Sequence, residues 1–585
     1  MTPTFRRKSD ARVVYAAVLV TTLLLVGLPA GVAQEIPPMV PPPEIRDMVE
    51  KMGGGASSVL AQTYGITEIA GKSLQSGSPP GNANAKKLMD VAVSAHPTKH
   101  ENEPTVAASP KNKKKLVAGS HWFGLPAPTT NRCRAFTSSD SGATWSAGFN
   151  MPQLTAASSC SDPVVAYAPD GSRVYYSYMD IKSTFDFTGF PAFFTRTEDF
   201  DILVSRSVDD GATWTGPVIA LNGDPYTITF TPCPSPPFPP GSYCGVLTEP
   251  GFAYDKNWVG AHSDRSESAW AYVTATRFNV GSPIPPNSIA FARSGDQGAT
   301  WSAPLILDSG SAGLPFVLVQ GSRPAGGVGG EVLVAWFHSG SDGWLIGSFN
   351  IRTARSSDHG ASFSTPVNAA TDSYELPFWL GPFTFYKRWW GAMFPDVEIG
   401  PGGRAHIVYT HDPVAGSLTP EDGDVRYITS AGPPYGSWSS PITVNDDGMA
   451  RAQGYAALKT QYGSELFDDS TVHVIFEDTR LAPELPTSDP ADCFTAPLGP
   501  CDSPNLYYDI FYARKPPGQA LFFSNFRVSE ASSIQDFSFT GDYNDLAANN
   551  TLLFAIWTDR RDKTSMFDFE DDVFGSRIIA GGAAP

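Results

Sequence analysis

Basic residues are scarce in this chain of 585 residues, which has 41 lysines and arginines against 59 aspartates and glutamates. The resulting formal charge of −18 argues against a nucleic-acid partner, although a local basic pocket for an anionic ligand stays open. Only six cysteines occur, with no Cys-x-x-Cys pair and no Cys/His cluster, so a thiolate zinc site is not expected. Long apolar runs are missing after residue 33, so no later segment is expected to span a bilayer.

The one long apolar run opens the chain. It covers 13–28, follows four basic residues and ends in small residues up to Ala33, so residues 1–33 read as an export signal peptide. A retained membrane anchor is the alternative, and a lipid anchor is not expected because no cysteine follows the run. Cleavage would remove four basic residues and Asp10, taking the charge to −21. We expect a secreted, periplasmic or cell-envelope protein without a membrane segment after cleavage.

An even number of cysteines in an exported chain predicts disulfides. Two pairs lie close together within loop-like sequence, which leaves the third pair by elimination. The expected set is Cys233 with Cys244, Cys493 with Cys501, and Cys133 with Cys160.

Four copies of one short motif punctuate the chain, Ser-x-Asp-x-Gly-x-Thr-Trp with small variations in the last copy. They cover 138–145, 207–214, 294–301 and 356–363. The aspartate can accept hydrogen bonds from its own turn, and the glycine can adopt a positive φ. We interpret these Asp boxes as scaffold turns between strands, and their repetition as the signature of a β-propeller.

Aligning the chain on its boxes gives an all-β propeller of four-stranded blades over residues 86–580. Seven third strands can be counted, the last near Arg577, with no room for a fourth strand after it. Segment 89–94 resembles the outer strands elsewhere and is expected to close the last blade. Seven blades are predicted, with six as the alternative if one segment is an insertion. Residues 34–85 read as a Pro/Gly-rich linker or arm, and 581–585 as a tail.

Most of the surplus length falls on the face opposite the boxes, in segments 180–201, 223–251, 371–388 and 481–506. Loops of this length are uncommon unless they are functional. They are rich in aromatic residues, which suit the apolar faces of sugar rings or pack on one another.

The Asp boxes, Asp542-Tyr543 and Trp557-x-Asp559 make the chain resemble the sialidase superfamily. The resemblance implies an aspartate acid, a tyrosine nucleophile with a glutamate partner, and three arginines that hold a substrate carboxylate. The Phe/Tyr-Arg-Ile-Pro motif of these enzymes is absent, since Glu103-Pro104-Thr105 stands in the corresponding strand, and those enzymes have six blades. Carried over, the candidates are Asp162 as acid, Tyr543 as nucleophile, Glu103 or Glu477 as its partner, Arg388, Arg451 and Arg561 as the clamp, and Trp389 and Trp390 as substrate contacts.

Three functions follow as hypotheses. The first is a sialidase-like glycoside hydrolase acting on a terminal, anionic sugar. The second is a polysaccharide lyase in which His338 or His411 is the base and Tyr543 the acid. The third is a non-catalytic propeller that binds a glycan, a protein or calcium. We expect a carbohydrate or glycoconjugate partner, a monomer, and no cofactor beyond a structural Ca²⁺ at 446–447 or 570–572.

Overall fold

A computed structural model describes most of the chain. The described residues are 89–94, 100–123, 131–233, 242–262, 264–281, 287–311, 315–343, 347–376, 389–414, 423–447, 451–460, 471–481, 507–534, 540–549, 552–561 and 571–578. No helix within these ranges has both the length and the apolar character needed to cross a membrane.

Seven antiparallel sheets follow one another along the described chain. Each contains four strands that lie side by side, the first nearest the propeller axis and the fourth farthest from it. The first four blades consist of these strands, from inner to outer. Blade 1 has His100–Ala108, Leu116–Phe123, Arg132–Ser138 and Phe149–Asn150; blade 2 has Ser159–Tyr167, Val174–Asp186, Phe194–Ser207 and Val218–Leu221; blade 3 has Gly251–Ala261, Ala271–Val280, Asn287–Ser294 and Leu305–Ser309; blade 4 has Val319–Gly326, Val332–Ser339, Ser348–Ser356 and Val367–Tyr374.

The last three blades complete the ring. Blade 5 has Asp396–Ile399, Ala405–His411, Asp424–Ser430 and Ile442–Thr443; blade 6 has Gln453–Thr460, Val472–Asp478, Tyr507–Lys515 and Phe526–Arg527, with Ser533–Ile534 also paired to its third strand; blade 7 has Asp545–Asn549, Leu552–Asp559, Asp572–Ile578 and Val91–Ala92. Short helices within the described ranges are the α-helix Trp389–Ala392 and the 3-10 helices Arg265–Glu267 and Pro401–Gly403.

The N-terminal strand closes the ring. Val91 pairs with Gly575 and Ala92 with Phe574, so the chain's first described strand is the outer strand of its last blade. The prediction of seven four-stranded blades closed by segment 89–94 is confirmed. Closure in this way covers an edge that would otherwise expose unpaired backbone groups.

Two segments of blade 2 that were expected to be loops contain strands. Residues 180–201 are mostly strand, because the second and third strands run on as a long hairpin. Residues 223–251 contain two further strands, Tyr226–Pro232 and Tyr243–Glu249, which extend the same sheet. The aromatic residues of these segments pack on one another, for example Phe194 on Phe230 with ring centres 4.7 Å apart, which favours the packing alternative.

The turns at the Asp boxes are held by their own side chains. In the first box, Asp140 accepts hydrogen bonds from the backbone N–H and the hydroxyl of Thr144, at 2.9 and 2.6 Å. Gly142 has φ 85°, and a Cβ there would lie 2.2 Å from the ring of Phe554 in blade 7. The glycine therefore serves both the turn and the close packing between neighbouring blades.

Two disulfides lie in the described part of the chain. Cys133–Cys160 joins the third strand of blade 1 to the inner strand of blade 2, and Cys233–Cys244 closes the added hairpin of blade 2. Both predicted pairs are confirmed, whereas Cys493 and Cys501 lie outside the described residues. Disulfides fit an oxidising compartment outside the cytoplasm.

Candidate functional site

The inner strands of five blades each carry a bulge in their first half. The inner strands begin on the face of the propeller opposite the Asp boxes, and we call this face the mouth. The bulge residues have left-handed backbones: Glu103 (φ 52°), Asp162 (φ 51°), Lys256 (φ 53°), Gly321 (φ 67°) and Tyr455 (φ 52°). A residue with a side chain is held there at a cost of about 1 to 3 kcal/mol, and such strain concentrates at functional sites. The four non-glycine bulges therefore mark the mouth as the candidate site.

Side chains from four consecutive blades meet at Lys256. Its Nζ lies 3.1 Å from Asp162 Oδ1 and 3.4 Å from Glu103 Oε1, and it also contacts the carboxylate of Asp542 just before blade 7. The backbone N–H of Lys256 donates to Asp162 Oδ2 at 3.2 Å. All four residues are more than nine-tenths buried. We call this group the lysine cluster.

The lysine cluster places one cation among three carboxyl groups in a dry environment. Burial would lower the pKa of Lys256, but Asp162, Asp542 and Glu103 outweigh it and raise that pKa well above its usual value. Burial raises the pKa of Asp162; Lys256 opposes this effect, and the hydrogen-bonded Glu103 carboxylate adds to it. A buried carboxyl group beside a second carboxylate is harder to ionise, so Asp162 can hold a proton.

Tyr543 stands beside the lysine cluster. Its hydroxyl donates to the carbonyl oxygen of Pro163 at 2.8 Å, and its ring meets Trp258 edge-on with ring centres 5.4 Å apart. Burial raises the pKa of Tyr543 well above its usual value, and the nearby Glu103 and Asp162 carboxylates add to the effect. The hydroxyl is therefore neutral, and it would have to leave Pro163 before it could attack a substrate.

Below the lysine cluster, the axis of the propeller holds a cavity of about 440 Å³ that reaches toward the box face. Trp258 lines its upper part, and the guanidinium carbon of Arg323 lies 3.6 Å from the centre of the Trp258 ring. Asp396 and Glu398 of blade 5 and Lys459 of blade 6 bring charge into the cavity, and Arg323 pairs with Asp396 at 2.8 Å. Burial raises the pKa of Glu398 to about 7, although Lys459 opposes it.

Arg561, one of the three arginines of the predicted clamp, does not point to the lysine cluster. Its guanidinium donates to Asp559 at 2.7 and 2.9 Å and to Asp90 at 2.6 Å, and it lies 4.3 Å over the ring of Phe574. These partners span the second, third and outermost strands of blade 7, so Arg561 holds the closing strand instead. Arg451 is buried at the start of blade 6, and Arg388 lies outside the described residues.

The remaining predicted residues lie around the lysine cluster rather than in it. Glu477 accepts a hydrogen bond at 2.8 Å from Asn544, the neighbour of Tyr543 in sequence. Trp389 and Trp390 begin the short α-helix, and a Cβ on Gly391 in that helix would lie 3.2 Å from Asp542 Oδ1. The helix backbone therefore approaches the mouth at the lysine cluster.

The two histidines of the lyase hypothesis differ in their hydrogen bonds. His411 Nε2 accepts a hydrogen bond from Arg426 at 2.7 Å, and burial together with Arg426 lowers the pKa of His411 to about 3. His338 Nδ1 donates to the carbonyl of Ser339 at 2.6 Å. Because an arginine already occupies its lone pair, His411 is poorly placed to remove a proton, whereas the hydrogen bond of His338 leaves the lone pair on Nε2.

The acidic pair suggested for calcium already has a cationic neighbour. Arg480 lies 2.7 Å from Asp446 and 3.7 Å from Asp447.

Lys256, which the lysine cluster depends on, was not among the predicted site residues. Its position on an inner strand was visible in the sequence, but its three carboxylate partners lie 94, 153 and 286 residues away along the chain, and only the ring brings them together.

No known protein family matches the chain, and no curated protein does. Solved structures resemble it in shape. They include the GH93 α-L-arabinofuranosidase of Fusarium graminearum (13% identity, 84% of this chain and 98% of that chain, TM-score 0.39), the endosialidase of phage phi92 (7%, 86% and 72%, 0.40) and the intramolecular trans-sialidase of Ruminococcus gnavus (12%, 85% and 97%, 0.34). At these identities and TM-scores, the likeness carries no argument about activity.

Proposed function

We propose that the protein is a glycan-processing enzyme whose reaction takes place at the mouth of the propeller, with the lysine cluster as its acid–base centre. The observation that carries the proposal is the convergence of Glu103, Asp162 and Lys256 on one point from three strained bulges. Holding three side chains in left-handed positions lowers stability, and nothing in the blade architecture requires them to be charged. The Asp-box resemblance supports a sugar as the substrate class.

Asp162 is the proposed general acid. Its raised pKa favours a proton on Asp162, as donation to a departing glycosidic oxygen requires. Lys256 has the largest exposed fraction of the lysine cluster, 8%. Its ammonium would stabilise negative charge on the substrate or on the departing oxygen.

We assign Tyr543 a positioning role. By donating to Pro163, its hydroxyl holds the bulge that aims Asp162 at Lys256. Attack by this hydroxyl, as the sialidase resemblance implies, would need it to exchange Pro163 for a base such as Glu103. An anionic terminal sugar would need cations other than Arg561, because that guanidinium is engaged by Asp559 and Asp90.

The test is a screen of the mature protein, from Gln34 onward, against chromogenic glycosides that include a sialoside and an α-L-arabinofuranoside. Anionic polysaccharides are followed by the ultraviolet absorbance of an unsaturated product. We expect Asp162→Asn to lower kcat on the cleaved substrate by 100-fold or more. Asp308→Asn is the matched control, since Asp308 forms an ion pair with Arg352 far from the axis, and it should keep kcat within about threefold. Equal losses in both variants would contradict the assignment.

A non-catalytic glycan-binding propeller is the second candidate. It is favoured by the hydrogen bond of Tyr543 to Pro163 and by the pairing of each cluster carboxylate with Lys256, because a satisfied network can be purely structural. No cleavage across the screen, with binding on a glycan array, would support this candidate against the enzyme.

A further inference from the structure

At the end of the propeller opposite the mouth, two histidines and a glutamate converge between blades 3 and 4. His262 follows the inner strand of blade 3, Glu267 ends the 3-10 helix Arg265–Glu267, and His359 lies in the fourth Asp box. One ligand atom from each lies within 4.8 Å of the other two. We call these three residues the His/Glu cluster.

The hydrogen bonds of His262 fix which ring nitrogen can bind a cation. Nδ1 lies 2.5 Å from the carbonyl oxygen of Gly327, and since a carbonyl only accepts, Nδ1 carries the hydrogen. Nε2 therefore carries the lone pair and accepts a hydrogen bond from the hydroxyl of Tyr272, so a cation bound at Nε2 would take the place of that hydrogen. A backbone carbonyl that orients the ring in this way is the usual second partner of a metal-binding histidine.

His359 is held in place by its box and by an aromatic ring. Its ring stacks on Trp270 with centres 4.3 Å apart, and its Nε2 lies 2.8 Å from Glu267 Oε2. Its backbone is left-handed (φ 56°), as it is at the same position of the other boxes. Those positions hold Ser141, Asp210 and Gln297, so the fourth box alone presents an imidazole there.

Two glycines let both imidazoles pack against backbone. A Cβ on Gly326 would lie 2.8 Å from the ring of His262, and a Cβ on Gly330 would lie 2.9 Å from the ring of His359. Both glycines flank the turn between the inner and second strands of blade 4. The orientation of the two rings therefore depends on close contacts across the blade boundary as well as on hydrogen bonds.

We propose that His262, Glu267 and His359 form a binding site for a divalent transition-metal ion of the zinc type. Two imidazole nitrogens and one carboxylate oxygen are a donor set that Zn²⁺ prefers, and three protein ligands leave a fourth position for water or for the Tyr272 hydroxyl oxygen. Because two ligands come from blade 3 and one from blade 4, the ion would join the two blades. The site is independent of the function proposed at the mouth.

The test uses the mature chain without a histidine tag, treated with EDTA and then titrated with Zn²⁺ by calorimetry and with Co²⁺ by visible absorption. We expect one equivalent to bind, d–d bands typical of a four-coordinate site, and a Tm that rises with Zn²⁺. His359→Gln gives the fourth box the residue that the third box has at Gln297, and it should weaken binding at least tenfold. Gln297→Ala is the matched control and should bind like the wild type.

Absence of stoichiometric Zn²⁺ uptake by the wild type would overturn the proposal, as would equal affinity in all three proteins. Thermal unfolding in EDTA shows whether His359→Gln is folded. If it is not, Glu267→Gln replaces it under the same criterion, because the amide keeps the shape of the side chain while removing the anionic ligand.

Discussion

The ammonium group of Lys256 on blade 3 lies 3.1 Å from a carboxylate oxygen of Asp162 on blade 2. This contact across a blade boundary is the centre of the lysine cluster, and the same ammonium also meets Glu103 and Asp542. A buried cation shared by three carboxylates cannot be removed without leaving buried negative charge. Both the stability and the proposed chemistry of the mouth therefore depend on Lys256.

Lys256→Met should lower the free energy of unfolding by about 3 to 5 kcal/mol, because three buried carboxylates lose their cation. The loss should grow as the pH rises, since the variant can keep these groups buried only in their protonated form. Denaturant unfolding at pH 5 and pH 8 measures both effects. Arg355→Met is the control: its partly exposed pair with Glu331 should contribute no more than about 1 kcal/mol. Equal losses in the two variants would show that the lysine cluster is not a coupled unit.

Tyr543→Phe removes the hydroxyl that donates to Pro163 and should destabilise the protein by about 1 to 2 kcal/mol, because a buried carbonyl loses its donor. Tyr508→Phe is a matched control, since that buried hydroxyl donates to Thr558 at 2.8 Å between blades 6 and 7. On a cleaved glycoside, a positioning role predicts that Tyr543→Phe lowers kcat only several-fold. A loss as large as that of Asp162→Asn would instead identify the hydroxyl as the nucleophile.

Glu398 in the axial cavity should make stability depend on pH. Burial raises its pKa from 4.5 to about 7, so the folded chain holds a proton that the unfolded chain releases. The free energy of unfolding should then fall as the pH rises from about 4.5 to about 7, by up to about 3 kcal/mol from this group. Glu398→Gln should reduce that slope, and Glu331→Gln should not. Parallel curves for Glu398→Gln and the wild type would contradict the assignment.

The closing strand can be tested by truncation. A chain that begins at residue 95 lacks Val91–Ala92 and the ion pair of Asp90 with Arg561, so the third strand of blade 7 becomes an exposed edge. We expect a lower Tm and concentration-dependent association in light scattering. A chain that begins at residue 89 keeps these contacts and should behave like the mature protein. Identical behaviour of the two truncations would argue against a stabilising role for the strand.

The sequence predicted the ring better than its centre. Box spacing and the strand-like segment 89–94 are local patterns, and they sufficed for seven blades and for the closing strand. Arg561 was predicted to face the substrate because it follows a second strand at the mouth, which is where the structure places it. The direction of the Arg561 side chain, however, is set by its hydrogen bonds to Asp559 and Asp90, and Asp90 lies 471 residues away in the sequence.

The His/Glu cluster shows the same limit. The imidazole of His359 was visible as an exception among four boxes, but its partner Glu267 comes from a turn in another blade. A single sequence reveals which residue differs from its repeats. It does not reveal what that residue touches across the ring.

The pairing of Val91 with Gly575 has a consequence for how the protein is made. A ribosome releases the N-terminal strand long before its partner exists, so the strand must wait until almost the whole polypeptide has emerged. Until then the nascent chain is an open arc with a bare edge at each end, which is the state most exposed to proteases and to association with other chains. The ring can therefore close only after the last blade has been made, and its first and last strands then protect each other.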